Sequence, residues 1–260
     1  MATATQQQTY WERAKDAGFD LGWLNQLQEN IVTDEAAETS ENLTGRVSGS
    51  IPRPEVPKFG AYPFRTKKEV WGYNLRKLHE EFVTRQWSSA TDIPWETLEQ
   101  LPDDIEAAEC QLATFFAQVE FVAADVPGRF ISTMSPDYQE VRLVILGQVM
   151  DESRHLDVFL KRALENGGGL MRMIDSVTDV VGGSTDNARE YTELSTRLHI
   201  VGEGNVLTLF RLGELMAYND AEKAIYRRCA QDEARHVAIG VLHARSVSYT
   251  HLTLTTNREV

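Results

Sequence analysis

Two five-residue stretches, Asp151-Glu152-Ser153-Arg154-His155 and Asp232-Glu233-Ala234-Arg235-His236, read almost identically as D-E-x-R-H. Both lie inside long helical patterns. A three-residue step turns an α-helix by roughly 300°, so Glu and His at i and i+3 project from one face. A carboxylate and an imidazole presented together form half of a metal site. Each half has a lone glutamate upstream, Glu120 lying 32 residues before Glu152 and Glu203 lying 30 residues before Glu233. Four helices would then supply one site: a Glu from each of two, and Glu-x-x-His from each of the others.

Chance matches to a single Glu-x-x-His are common, and most decorate a solvated face. Two copies within a longer repeat, each with its own upstream glutamate, are far more specific. Carboxylate and imidazole donors suit iron and manganese, and bridging carboxylates hold two cations close together. Four glutamates balance two divalent ions in charge. Without metal, the same four carboxylates buried together would repel one another and take up protons. The surroundings agree: Glu120 sits in Phe115-Phe116-Ala117-Gln118-Val119-Glu120-Phe121-Val122, and Glu203 in Ile200-Val201-Gly202-Glu203-Gly204-Asn205-Val206-Leu207. A carboxylate among such neighbours is costly unless paired or metal-bound. Gly202 and Gly204 weaken the helix around Glu203, which fits either a local distortion near the site or close helix packing.

The rest of the chain reads as an all-α protein. Helices are expected near 66–86, 103–126, 136–166, 170–181, 186–217 and 220–245. Pro127-Gly128 is the expected stop of the second and Ser135-Pro136 the start of the third. Gly167-Gly168-Gly169 closes the third, and Asn219 or Asp220 caps the last. Long helices, short connections and the absence of alternating strand patterns predict an all-α bundle. Residues 1–63 form an N-terminal extension, with an amphipathic helix around Trp11 to Ile31 that docks on the main body. Its Ile51-Pro52-Arg53-Pro54-Glu55-Val56-Pro57 run is an extended linker, because three prolines in six residues cannot be helical. The bundle itself spans 64–246.

Residues 247–260 depart from this pattern. Ser248-Tyr249-Thr250-His251-Leu252-Thr253-Leu254-Thr255-Thr256 is Thr-rich and resembles a sequencing adaptor translated in frame. The tail is therefore expected to be non-native, with the helix losing regularity near Arg245 or Val247 and the natural chain continuing beyond. His251 is not counted as a ligand candidate.

A formal charge of −13 argues against nucleic-acid binding. No basic-then-apolar leader or long apolar run suggests secretion or a membrane span, so a cytoplasmic location is expected. Cys110 and Cys229 alone cannot build a thiolate cluster or a disulfide framework. Glu106, Glu109 and Glu214 are read as exposed, His199 as a satisfied core histidine and Cys229 as a small buried packing residue. His79 and His243 have no partner identifiable from sequence.

At these motifs the chain resembles the non-haem di-iron carboxylate proteins of the ferritin-like superfamily, over about residues 103–245. The repeated D-E-x-R-H is most like the oxygenase branches: hydroxylase subunits of bacterial multicomponent monooxygenases, aryl-amine N-oxygenases and acyl-CoA ring epoxidases. The resemblance implies a ferritin-like four-helix bundle with additional N-terminal helices. It implies Glu120, Glu152, His155, Glu203, Glu233 and His236 as ligands of two iron ions, or of a manganese–iron pair. It implies an outer layer in which Asp151 holds the imidazole of His236 and Asp232 that of His155, with Arg154 and Arg235 holding the aspartates. Dioxygen and a small organic substrate would be the reactants, with an electron-donor reductase or ferredoxin as partner and a homodimer as the assembly. Departures occur at Phe159, where a radical-bearing tyrosine stands in ribonucleotide reductase small subunits. They occur also at Cys229, where the N-oxygenases carry a further histidine, and at Leu207, where the multicomponent hydroxylases carry a threonine. The alternatives are ferritin- or rubrerythrin-like iron oxidation or peroxide removal, and a ribonucleotide reductase-like radical subunit.

Overall fold

The computed structural model describes residues 38–51, 53–58, 61–173 and 188–256, with side chains described as far as Ser248. The helix expected around Trp11 to Ile31 lies outside these residues. The described chain is all-α. Two short helices, α1 (Lys67–Val70) and α2 (Leu75–Thr84), precede α3 (Asp103–Ile131) and α4 (Gln139–Glu165). They are followed by α5 (Tyr191–Ser195), a π-helical segment (Thr196–Gly202), α6 (Glu203–Met216) and α7 (Asp220–Thr256). Among the described residues, extended pairing is limited to two isolated bridges, Thr39 with Thr66 and Phe64 with Met134.

The long helices pack as two antiparallel pairs. Cys110, Phe116 and Glu120 of α3 meet Ala163, Phe159 and His155 of α4, in reversed order. Gly213 of α6 faces Tyr226 of α7, while His199 of the π segment faces Gly240 further along α7. An added Cβ at Gly240 would stand 2.8 Å from the Cβ of His199, so the close crossing requires glycine there. Caps set the boundaries: Ser135 Oγ accepts from the Asp137 amide with Pro136 in the first turn, and Asn219 Oδ1 accepts from the Glu222 amide at 2.9 Å.

Apolar side chains form two clusters. One gathers Phe82, Val126, Tyr138, Ile145, Leu194, Leu198 and Ile239, and the other gathers Phe116, Val158, Phe159, Val206, Phe210 and Ile225. Burying each large apolar side chain contributes about 1.5–3 kcal/mol, so the two clusters together supply most of the drive to close the bundle. Between them lie buried charged residues of α3, α4, α6 and α7. At the far end of the second cluster Arg162 clamps three helices, bonding Glu106 of α3 at 2.7 Å and Glu222 of α7 at 2.8 Å.

Several boundaries differ from the sequence expectation. The helix expected over 66–86 is broken between Trp71 and Asn74. Asn74 adopts a left-handed φ of 56°, and the freed Trp71 carbonyl accepts from His243 Nδ1 of α7 at 2.7 Å. His243 Nε2 also meets Thr192 Oγ1 at 2.8 Å, so this histidine has two partners that sequence reading missed. α3 does not stop at Pro127 but runs through it to Ile131. Proline inside a helix costs about 3 kcal/mol, which packing of Val126 and of Phe130 against Phe64 and Tyr191 offsets. Residues 170–173 of the helix expected over 170–181 are not helical; its remainder lies outside the described residues. The helix expected from 186 begins at Tyr191. α7 continues to Thr256 rather than losing regularity near Arg245 or Val247. No glycine or proline occurs from Val241 to Thr256, so nothing in the local sequence halts propagation once the helix is formed. Glu106, Glu109 and Glu214 are half-buried rather than exposed, and Glu106 and Glu214 bond Arg162 and Arg227.

Candidate metal centre

Glu120 of α3, Glu152 and His155 of α4, Glu203 at the start of α6, and Glu233 and His236 of α7 all project into the level between the two apolar clusters. None is more than 2% exposed. They form two overlapping donor sets, Glu120–Glu152–His155–Glu233 and Glu152–Glu203–Glu233–His236, and within each the donor atoms lie inside 4.8 Å of one another. Glu152 and Glu233 belong to both sets. That is the arrangement two cations need if carboxylates are to bridge them, and the buried Glu and His groups could hold a metal ion.

Imidazole orientation supports the same use. His155 Nδ1 faces Glu120 Oε2 at 3.3 Å, Glu152 Oε2 at 3.4 Å and Glu233 Oε1 at 3.1 Å. His236 Nδ1 faces Glu152 Oε1 at 3.1 Å and Glu233 Oε2 at 3.0 Å. The opposite nitrogens point away: His155 Nε2 stands 3.1 Å from Asp232 Oδ2, and His236 Nε2 3.4 Å from Asp151 Oδ2. Of three buried carboxylate oxygens without a hydrogen bond, Glu120 Oε1 has no partner, and Glu152 Oε2 and Glu233 Oε1 have only the His155 ring nitrogen, at 3.4 and 3.1 Å. Orphaned acceptors of this kind are costly unless something positive meets them, and two cations at the centre would meet all three.

Behind the imidazoles lies a crossed ion-pair lattice. Arg154 bonds Asp151 of its own motif and Asp232 of the other, the latter at 3.2 Å. Arg235 bonds Asp232 of its own motif and Asp151 of the other, the latter at 2.8 Å. Each aspartate stands behind the histidine of the opposite repeat. In a helix Asp and Arg at i and i+3 share a face about 100° round from that of Glu and His at i+1 and i+4, so one pentapeptide furnishes two adjacent layers.

Sequence reading did not single out three further contributors. Trp87 Nε1–H donates to Asp232 Oδ2 at 2.7 Å, and its ring stacks on His155 with centroids 6.3 Å apart. Phe82 stacks on His236 at 5.9 Å. Gln148, fully buried one turn before Glu152, contacts both Glu152 and Glu203. The i−4 spacing from Glu152 was a signal for Gln148, whereas nothing local connects Trp87 or Phe82 with motifs more than sixty residues away. Cys229 is buried one turn before Glu233, and burial pushes its thiol well above the usual range, so it stands there neutral. Phe159 stacks with Phe116 and Phe210 in an aromatic layer that reaches His155 through Phe210. Beyond Phe116 and Tyr226 that layer borders an apolar groove of about 230 Å3, lined also by Leu112, Leu209, Leu212 and Met216, with Glu109 its one charged group.

Protonation in the ion-free centre follows from burial and mutual repulsion. Burial, reinforced by the charges of Glu233 and Glu152, holds Glu120 and Glu203 well above the ordinary carboxylate range. Burial alone would drive both imidazoles down, but the carboxylates around them hold His155 and His236 well above the ordinary histidine value. Metal must displace these protons. Affinity for Mn2+ is therefore expected to rise with pH across the neutral range, by about tenfold per pH unit for each proton displaced. Isothermal titration in buffers of different ionisation enthalpy would count the protons released. Binding without proton release would contradict this account.

Among the described residues, no helix is long and apolar enough to cross a membrane. No protein-family model, curated protein or solved structure matches the chain.

Proposed function

We propose that this chain is a ferritin-like, non-haem di-iron oxygenase that uses O2 to oxidise a small organic substrate. The observation that carries this reading is the pair of buried donor sets sharing Glu152 and Glu233, with both Nδ1 atoms turned inward. Carboxylates with two imidazoles suit iron and manganese better than copper or a structural zinc. Two ferrous ions held there would supply the electrons that activate dioxygen. The chain's own side chains do the rest. Asp232 bonds the His155 imidazole and turns its Nδ1 toward the centre, Asp151 stands 3.4 Å behind His236 Nε2, and the lattice with Arg154 and Arg235 neutralises the aspartates. Phe116, Phe159, Phe210 and Tyr226 keep water away on one side.

The apolar groove on the outer side of the aromatic layer, which none of the six ligand candidates lines, supports oxygenation over iron storage. Ferrous ions in transit require carboxylate stepping stones, whereas a groove walled by Leu112, Leu209, Leu212, Met216 and Tyr226 suits an apolar or aromatic molecule. Inserting one oxygen atom from O2 into a substrate and reducing the other to water consumes two external electrons. Cys110 and Cys229 are single and buried, so they form no cluster to carry those electrons, and a separate reductase or ferredoxin would deliver them.

Anaerobic titration with ferrous iron is expected to load about two ions per chain. Exposure to 18O2 with an electron donor and candidate arylamine, aromatic or fatty-acyl substrates is then expected to place 18O in an organic product. Accumulation of hundreds of irons per assembly with no labelled product would favour storage instead.

A further inference from the structure

Gln148 touches the centre at Glu203 and at Glu152 Oε1, the oxygen that faces His236 while Oε2 faces His155, and its surroundings dictate which way its amide faces. Its Nε2 lies 3.3 Å from Glu152 Oε1 and 3.2 Å from Glu203 Oε1. Its Oε1 lies 2.9 Å from His199 Nε2, and His199 Nδ1 lies 3.0 Å from Ser195 Oγ. All of Gln148, His199 and Ser195 are buried to within 1%.

Donor and acceptor roles along this chain are fixed from one end. In the loaded centre Glu152 and Glu203 would both be ionised and could only accept, so the amide presents its NH2 group to them. The amide oxygen then faces His199, whose Nε2 must carry the proton. Burial lowers the His199 pKa to about 3, so the ring is neutral and has a single N–H. Nδ1 is left bare and accepts from the Ser195 hydroxyl. The reverse amide orientation would set a carbonyl oxygen against two carboxylates and an NH2 group against an N–H. Ser195 closes α5 and His199 lies in the π segment, whose wider turn carries the backbone into Glu203. Close packing of His199 on Gly240 of α7 pins the ring further.

We infer that Gln148 is a positioning residue for one ion of the pair: held by His199 and Ser195, it sets Glu203 and the Oε1 atom of Glu152 for the Glu152–Glu203–Glu233–His236 set, and it meets the Glu120–His155 set only through the shared Glu152. This rests on the proposed dimetal reading. It makes the two ions unequal in their dependence on an outer side chain, since no corresponding amide contacts Glu120 among the described hydrogen bonds. Removing the amide leaves Glu203 free to rotate away, and the ion that relies on it loses a ligand held in place.

The test is Mn2+ titration of the full-length chain, followed by electron paramagnetic resonance, in the wild type, Gln148→Met and Ser195→Ala. Methionine keeps the volume and removes both donors and the acceptor. The expected result for Gln148→Met is a first ion bound as in wild type and a second weakened by about 10–100-fold. The spectrum would change from that of a spin-coupled pair to the six-line pattern of isolated Mn2+. Ser195→Ala, which only unpins the imidazole, should weaken the same ion in the same direction by less. It serves as the deciding variant if Gln148→Met does not fold. Two ions bound with wild-type affinities in the folded variants would overturn the inference, as would equal weakening of both ions, which marks a general structural role. A wild-type chain that binds no Mn2+ would instead sink the dimetal reading itself.

Discussion

Replacing Glu233 with alanine is expected to abolish tight binding of both metal ions, and Glu152→Ala should do the same. These two glutamates belong to both donor sets, and both are fully buried. Losing either removes a ligand from each ion and a charge that holds the ions together, so affinity should fall by more than the roughly 100-fold that outer-layer partners command. Glu120 and Glu203 each serve one set, so their alanine variants should leave one ion bound. Inductively coupled plasma measurement of Mn2+ retained after gel filtration distinguishes these outcomes. Loss of only one ion in Glu233→Ala, or of both in Glu120→Ala, would refute the bridging arrangement. Stability should move in the opposite direction. Burial and neighbouring charges make ionisation of Glu120 and Glu203 unfavourable in the ion-free protein. Glu120→Gln or Glu203→Gln relieves that penalty, so each should raise ion-free stability by roughly 1 kcal/mol while lowering that of the loaded protein. A thermal melt with and without Mn2+ reads both signs.

The centre is where the sequence is most informative, for a physical reason. D-E-x-R-H places two layers of side chains by helical geometry alone, so Glu152, His155, Glu233 and His236 need only a regular helix to face inward. Glu120 and Glu203 stood out because a carboxylate amid phenylalanine, valine and leucine demands an explanation. The glycines flanking Glu203 leave distortion and close packing both open, and a π segment runs up to that residue. Long-range partners were not legible. Trp87 reaches Asp232 across the bundle, and no local pattern marks it. Helix ends were misread where tertiary contacts outweigh local propensity. Pro127 is carried through by the packing around it, and the chain opens at Trp71 because His243 offers its carbonyl a donor. Gly72 also comes close to the α7 backbone, where an added Cβ would stand 3.3 Å from the His243 nitrogen. At Arg245 the error ran the other way. The composition there predicts a break, but leucine favours a helix, and threonine and histidine only weaken one already begun.

Asp151→Ala is expected to cost about 3–5 kcal/mol of stability and to lower metal affinity by about 10–100-fold. Asp151 is fully buried and accepts from Arg154 and Arg235 while standing behind His236. Without it, Asp232 alone faces two guanidinium groups in a site that excludes water, leaving one positive charge uncompensated. The His236 ring also loses the group that turns Nδ1 toward the centre, which is why binding should suffer along with stability. The two effects separate in a second variant. Asp151→Leu combined with Arg235→Leu removes a charge of each sign, and Arg154 keeps Asp232 as its partner. That double variant should recover much of the stability lost in Asp151→Ala, because well-packed apolar groups replace a buried ion pair at little net cost. It should not recover metal affinity, because His236 still lacks its anchor. Urea denaturation of the ion-free proteins gives the first quantity and Mn2+ titration the second. Should Asp151→Ala unfold within about 1 kcal/mol of wild type and bind Mn2+ as tightly, the lattice would be incidental to the centre. If instead the double variant regains both properties together, the aspartates act through folding alone and the imidazoles orient themselves.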